Sequence, residues 1–144
     1  MSDFALDPVL DRDTIAIGDL PLCRLLLLND ARYTWLVLVP RRAGITEIID
    51  LPADDRAQLW REIESAGAVI RAVAGPDKIN IGALGNIVRQ LHIHVLARFA
   101  SDPAWPGPVW GHSPAVPYPP HLAGLTLDRL RAAFAVHGLQ ECAA

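Results

Sequence analysis

Two histidines separated by one residue carry the clearest chemical signal in this sequence. His92 and His94 lie in an apolar run from Leu91 to Leu96 that has the composition of a β-strand. Because successive side chains on a strand point to opposite faces, the two imidazoles share one face and can act on a single ligand. We expect the apolar face to meet the core and the histidine face to meet a cleft or solvent. The two predicted faces are Gln90, His92, His94, Leu96 and Arg98, and Leu91, Ile93, Val95, Ala97 and Phe99.

Several interpretations of the histidine pair are open from the residues alone. Both could be surface side chains, although two of only five histidines would then fall together on one strand face by chance. They could bind a metal, usually zinc, if His112 or His121 supplied a third ligand. They could form a non-catalytic anion pocket, or one imidazole could attack phosphorus while the other supports the phosphate. A metal-dependent (β/α)₈ barrel is excluded, because 144 residues are too few.

The segment before the histidines favours a phosphate ligand. It runs from Asn80 to Val88 and contains Gly82 and Gly85, whose backbones can turn sharply and expose amides that bind anions. Such a segment is also common as a simple turn between strands. Its position is the informative feature, since it ends where the histidine strand begins.

Short strands and one long helix must position these residues. Strands are predicted at 14–18, 23–28, 35–39, 78–81 and 90–99, and helices at about 53–74 and 126–136. Trp35 and Trp60 are expected to pack in the core. Residues 101–121 hold so many prolines that we expect an ordered strap packed on the core rather than a helix or central strand. The pattern predicts one α+β domain over residues 1–144, with a mostly antiparallel sheet.

The composition points to a small ligand. Thirteen basic and 16 acidic residues give a net charge of −3, which is not the basic balance expected of a nucleic-acid-binding surface. No apolar run approaches the ~18 to 20 residues of a membrane span, and the first residues do not resemble a secretory signal. Cys23 and Cys142 form no metal-type or redox-type pair. We therefore expect free thiols, a cytoplasmic location, and neither a nucleic-acid nor a membrane partner.

The segment Gln90-Leu91-His92-Ile93-His94-Val95-Leu96 resembles the signature of the histidine triad (HIT) family of nucleotide hydrolases and transferases. That signature is His-φ-His-φ-His-φ-φ, where φ is apolar, and six of the seven positions match. The similarity extends upstream through residues 35–42, the long helix and residues 80–88, and so covers roughly residues 12–100. Residues 105–111 resemble those of bacterial members described as dinucleoside-polyphosphate (Ap4A) hydrolase-like.

The resemblance implies a five-stranded, mostly antiparallel sheet with one long helix and a C-terminal helix, and a homodimer. It assigns His92 as the nucleophile that attacks the α-phosphate and His94 as a support for that phosphate. It places Asn80 near the phosphates and Asn29 at the ribose. The remaining expected substrate-binding residues are Asn86, Ile87 and Gln90. Two of these depart from the family pattern, because Gln90 replaces the first histidine and Ile87 replaces a common hydroxyl residue.

We therefore expect a nucleotide hydrolase or nucleotidyl transferase that forms a nucleotidyl-histidine intermediate. Its expected substrates are dinucleoside polyphosphates or aminoacyl and amino nucleotides. No cofactor or resident metal is expected, and Mg²⁺ would arrive only with the substrate phosphates. Two rival interpretations remain, a non-catalytic nucleotide-binding regulatory module and a metal-dependent hydrolase that uses the His-x-His pair. His112, His121 and His137 are expected to be structural or surface residues.

Overall fold

Five antiparallel strands form one sheet in the computed structural model, which describes residues 3–144. The strands are β1 (Thr14–Asp19), β2 (Cys23–Leu28), β3 (Trp35–Pro40), β4 (Lys78–Gly82) and β5 (Ile93–Arg98). Their order across the sheet is β1-β2-β3-β5-β4, and every neighbouring pair is antiparallel. The helices are α1 (Pro8–Asp13), α2 (Ala53–Ala74) and α3 (Pro120–Phe134). The predicted α+β class and antiparallel sheet are confirmed.

One face of the sheet is covered by the long helix α2. Asp54 and Asp55 lie in its first turn, where they favour the positive end of the helix dipole, and Gly75 ends it in the left-handed conformation at φ 57°. Its buried side includes Leu59, Ile63 and Ile70, at the spacing of a helix face. They pack against the apolar face of β5 and against alternate residues of β2 and β3. The predicted apolar face of β5 is thus confirmed as the core face.

The opposite face of the sheet is also buried, which corrects the expectation that the histidine face meets a cleft or solvent along its length. All six residues of β5 are buried, including His94 and Arg98. A second apolar cluster covers this face and includes Leu10 of α1 together with Ala104 and Val109 of the strap. The strap is shorter than the expected 101–121, because α3 begins at Pro120. The sequence pattern of β5 alone could not show this, because the covering residues come from both ends of the chain.

Three further sequence expectations differ from the structure. The last strand begins at Ile93 rather than at position 90, so residues 90–92 form an irregular lead-in. The C-terminal helix begins at Pro120, six residues before the expected 126, because proline suits the first turn of a helix. Trp60 is 52% exposed rather than packed in the core. Trp60 lies on the side of α2 that faces away from the sheet, whereas Leu59 and Ile63 lie on the side that contacts it.

The two edges of the sheet differ in how they are covered. At β1, Arg131 donates to the backbone oxygens of Ala16 and Ile17, and Gln140 forms a bridge with Asp19. At the other edge, β4 carries Ile81, which is 51% exposed. Cys23 is buried and Cys142 is exposed, and both are free thiols as expected. Among residues 3–144, no helix is long and apolar enough to cross a membrane.

Candidate active site

A cavity of about 750 Å³ opens beside His92. Its wall combines the end of β2 and the turn after it, the loop that follows β4, and the strap. This size lies within the range of small-ligand pockets in proteins. Its lining includes Asn29, Asp30, Arg32, Trp35, Asn86, Ile87, His92, Val109, Trp110 and Ser113. His92 therefore reaches the cavity at one end of the histidine face, although most of that face is covered.

The tautomer of His92 is set by a backbone carbonyl. Its Nδ1 lies 2.7 Å from the oxygen of Gln90, and only a protonated Nδ1 can donate a hydrogen bond to a carbonyl. In the neutral ring the lone pair is therefore on Nε2. A neutral imidazole with a free Nε2 is a competent nucleophile near neutral pH.

The tautomer of His94 is set in the opposite sense. The indole Nε1–H of Trp35 donates to His94 Nδ1 over 2.9 Å, so the neutral His94 ring carries its proton on Nε2. Burial, together with the nearby charge of His92 when that ring is protonated, lowers the pKa of His94 from 6.5 to about 4. His94 is thus neutral at neutral pH and is a hydrogen-bond donor through Nε2.

The two imidazoles lie close together but differ in access. Their ring centroids are 5.0 Å apart, and the His94 ring lies 5.5 Å from Trp110. Among residues 3–144, His92 and Trp110 belong to the cavity lining and His94 does not. His94 therefore lies behind His92, at the inner end of the cavity.

Arg98 fastens the strap that forms one wall of the cavity. This buried guanidinium pairs with both carboxylate oxygens of Asp102 and donates to the backbone oxygen of Gly107. The Arg98 pair lowers the pKa of Asp102 to about 2, with further help from backbone N–H donors. The strap then places Trp110 against Gly82, where an added Cβ would lie 2.8 Å from the indole. Glycine at position 82 therefore makes room for the cavity wall.

The predicted substrate-binding residues are only partly brought together. Asn29, Asn86 and Ile87 line the cavity, and Ile87 is 93% exposed there. The Asn29 side-chain oxygen accepts from the backbone of Tyr118, which leaves its amide hydrogens for a ligand.

Asn80 and Gln90 are not part of this lining. Within residues 3–144, neither lines the 750 Å³ cavity, but Gln90 lines a smaller cavity of about 270 Å³ that also reaches His92. The Asn80 oxygen accepts from Arg98 Nη1 over 2.7 Å, so its carbonyl group is engaged in holding the strap wall. Gln90 bonds to the N-terminal residues. The direct role of Asn80 at the phosphates stays a prediction.

Several lining residues were not predicted from the sequence. Arg32 pairs with both oxygens of Asp30 and also donates to Ser113 Oγ, and these three residues join the turn after β2 to the strap. Val109 and Trp110 complete the strap wall. The two tryptophans of the proline-rich strap, Trp105 and Trp110, indicate from the sequence that the strap packs on the rest of the protein. The side on which they pack depends on contacts distant in sequence.

The metal interpretation finds no third ligand near the pair. Among residues 3–144, no group of three His, Cys, Asp or Glu side chains is arranged to hold a metal ion. His112 and His121 are exposed, and His112 lies beside Ser113. His137 lies in the short 3₁₀ helix Ala135–His137 that follows α3, and its ring packs edge-on to Phe134.

Comparison with known proteins identifies the fold and the family. The HIT domain family model matches residues 10–101. The chain belongs to the histidine triad family. A histidine triad protein from Sinorhizobium meliloti 1021 is 49% identical with a TM-score of 0.89, over 91% of this chain and 97% of that one. One from Bradyrhizobium japonicum is 44% identical with a TM-score of 0.88, over 90% and 97%. One from Marinobacter aquaeolei VT8 is 40% identical with a TM-score of 0.91, over 93% and 98%.

These histidine triad relatives support the fold and a general role. No functionally curated protein matches the chain. Members of the family are generally nucleotide-binding proteins, hydrolases or transferases. The resemblance to the family that the His92 segment indicated is confirmed, whereas the assignment to the Ap4A hydrolase-like subgroup stays a prediction.

Proposed function

We propose that this histidine triad protein is a nucleotide hydrolase or nucleotidyl transferase that uses His92 as a covalent nucleophile at the α-phosphate. The observation that carries the proposal is the 2.7 Å contact between His92 Nδ1 and the Gln90 oxygen. This contact keeps the lone pair on Nε2 of a ring that lines a ligand-sized cavity.

The proposed reaction has two displacement steps. The Nε2 lone pair of His92 forms a bond to the α-phosphorus while the bond to the leaving group breaks. The leaving group departs with that electron pair and takes up a proton. Water, or another acceptor hydroxyl in a transferase, then attacks the same phosphorus and loses a proton, and the electron pair of the N–P bond returns to Nε2.

His94 supports the phosphate in this proposal as a neutral donor. Its Nε2–H is available because Trp35 occupies Nδ1, and its lowered pKa of about 4 keeps the ring uncharged at neutral pH. Phosphoryl transfer depends mainly on positioning and on donors aimed at the developing charge. Loss of one such donor costs about 10² to 10³-fold in rate, which is the expected effect of His94→Ala.

The cavity supports a substrate with a nucleoside attached to that phosphate. Asn29 offers its amide hydrogens at the end of β2, and Asn86 lies in the loop that follows β4. We propose dinucleoside polyphosphates or aminoacyl and amino nucleotides as the substrate class. Mg²⁺ would then travel with the substrate phosphates rather than occupy a site of the protein.

A substrate screen with a blank variant tests the proposal. Wild type, His92→Ala and His121→Ala are assayed on dinucleoside polyphosphates and on nucleoside phosphoramidates, and nucleotide binding is measured for each. We expect turnover by wild type and by His121→Ala, whose substitution lies at an exposed histidine. His92→Ala should retain binding and its melting temperature but lose turnover. Nucleotide binding without turnover by wild type would favour a regulatory module, and turnover by His92→Ala would refute the nucleophile.

We also propose a homodimer, in line with the family resemblance. The β4 edge with its exposed Ile81 is a surface that a second copy could pair with, whereas Arg131 and Gln140 cover the β1 edge. Light scattering at micromolar concentration should give twice the mass of one chain, and a monomer would contradict this proposal.

A further inference from the structure

Gln90 connects the first residues of the chain to the nucleophile. Its Nε2 donates to the backbone oxygen of Ala5 over 2.8 Å, and its Oε1 accepts from the backbone N–H of Asp7, also over 2.8 Å. A single planar amide thereby satisfies a donor and an acceptor of residues 3–7, here called the N-terminal arm. The primary amide is suited to this role because it presents donor and acceptor side by side.

The backbone of Gln90 makes the contact that orients His92. Its carbonyl accepts from His92 Nδ1, and it lies in the irregular lead-in before β5 rather than in the strand ladder. The next N–H, that of Leu91, belongs to the same peptide unit and donates to the oxygen of Ile45 over 3.0 Å. The peptide that holds His92 is therefore fixed on one side by Ile45 and on the other by the side chain of Gln90.

The N-terminal arm is itself anchored without help from Gln90. Asp7 caps α1 through Val9 N–H at 2.8 Å, and the Phe4 ring lies 5.6 Å from the guanidinium of Arg24. Phe4 and Leu6 also pack against the cluster that covers the histidine face. An arm that is fixed in this way can serve as a support for the Gln90 side chain.

From these contacts we propose that Gln90 is a positioning residue that holds the nucleophile's tautomer by fastening its own carbonyl to the N-terminal arm. Gln90 occupies the position of the first histidine in the family signature, and its role at that position is to orient His92. This inference rests on the proposed function of His92 for its consequence in catalysis, but the tautomer itself can be measured without substrate.

Nitrogen-15 NMR of the imidazole rings tests the inference directly. Wild type should show His92 with Nδ1 protonated and Nε2 unprotonated near neutral pH. In Gln90→Ala, which removes both bonds to the arm, we expect a mixture of tautomers at His92. Gln90→Glu keeps the acceptor for Asp7 N–H and loses the donor to Ala5, so it should lie between the two.

Gln58→Ala is the matched control. Gln58 also uses its amide as donor and acceptor, to Glu62 and from Arg61, but it lies on α2 against the opposite face of the sheet. This variant should keep the wild-type tautomer at His92. If Gln90→Ala changed the His92 tautomer only by loosening the whole fold, Gln58→Ala would change it as well, provided that the two variants have similar melting temperatures.

Kinetics supply a second readout. Gln90 lines a second cavity of about 270 Å³ together with His92, but both polar atoms of its amide are engaged by the N-terminal arm. Gln90→Ala should therefore lower kcat about tenfold, as expected for one to two lost hydrogen bonds, and change KM by a smaller factor. A wild-type tautomer in folded Gln90→Ala and Gln90→Glu would overturn the inference while leaving His92 as nucleophile. A shifted tautomer in a protein without turnover would retain the inference and remove the proposed function.

Discussion

Acidification is expected to destabilise this fold through His94, in a pH range where the carboxylates contribute little. The folded pKa of His94 is about 4, against 6.5 for a solvent-exposed histidine in the unfolded chain. Above pH 6.5 the ring is neutral in both states, so its burial has no pH-dependent cost. Between pH 6.5 and pH 4 the unfolded chain binds the proton and the folded chain does not, so the free energy of unfolding falls as the pH falls. Below pH 4 both states are protonated and the loss is complete.

The size of the effect follows from the two pKa values. A change from 6.5 to about 4 corresponds to about 3 kcal/mol of unfolding free energy at full loss. This is a large part of the 5–15 kcal/mol that stabilises a typical domain. In Asp19 and Asp30 burial is the largest single effect and raises the pKa, but hydrogen bonds from arginines and backbone N–H groups together outweigh it and lower the pKa below 3.8. In Asp102 the hydrogen bond from Arg98 is the largest effect and lowers the pKa. The stabilisation from these carboxylates is lost mainly below pH 4, so the histidine dominates the range from pH 6.5 to pH 4.

Urea unfolding at fixed protein concentration, at half-unit steps from pH 7 to pH 4, measures this loss. The comparison is wild type against His94→Gln, whose amide can accept from Trp35 but does not titrate. We expect the wild-type unfolding free energy to fall by about 3 kcal/mol more than that of the variant. Parallel curves for the two proteins would show that His94 takes up its proton without cost, and the assignment of a buried neutral ring would be wrong.

Three further outcomes are expected. Trp35→Phe should cost about 1 to 3 kcal/mol in unfolding free energy and should lower kcat more than it raises KM, because the buried Nδ1 of His94 loses its donor. Asp102→Asn should cost about 3 to 5 kcal/mol by urea unfolding, since the buried Arg98 keeps its charge without a counterion, and should raise KM through the strap wall. After chelator treatment, the protein is assayed in buffer with and without Mg²⁺. Any loss of activity without Mg²⁺ should reflect Mg²⁺ bound to the substrate phosphates, because residues 3–144 offer no three-ligand group around His92.

Each of these outcomes has a control or a contradicting result. Trp60→Phe alters a 52% exposed tryptophan and should leave stability and kcat unchanged. Asp55→Asn breaks a more exposed pair with Arg42 and should cost at most about 1 kcal/mol. Equal losses in Asp55→Asn and Asp102→Asn would refute the special role of the buried pair. One tightly bound zinc per chain whose removal abolishes activity would refute the metal-free chemical step.

The parts of the fold set by local pattern were predictable. The alternation around His94 identifies the two faces of β5, and the apolar spacing from Leu59 to Ile70 identifies α2, because burial of one face imposes that spacing. The short helix α1 also has a local signal, since Asp7 and Pro8 form a common helix start.

The parts set by contacts distant in sequence were not predictable. The bonds from Gln90 to Ala5 and Asp7 join residues more than 80 positions apart, so no local pattern indicates them. Asn80 illustrates the same limit. Its amide could bind phosphate or a neighbouring cation, and the choice of Arg98 follows from side-chain packing between β4 and β5.

Isolation of the covalent intermediate tests the central claim most directly. A nucleotide substrate labelled at its α-phosphate is mixed with wild type and with His92→Ala, the reaction is quenched under alkaline conditions that preserve a phosphoramidate, and the labelled peptides are sequenced. The account predicts label on wild type alone, in the peptide that contains His92 and on that ring. Rapid turnover with no labelled peptide, or label on any other residue, would contradict it.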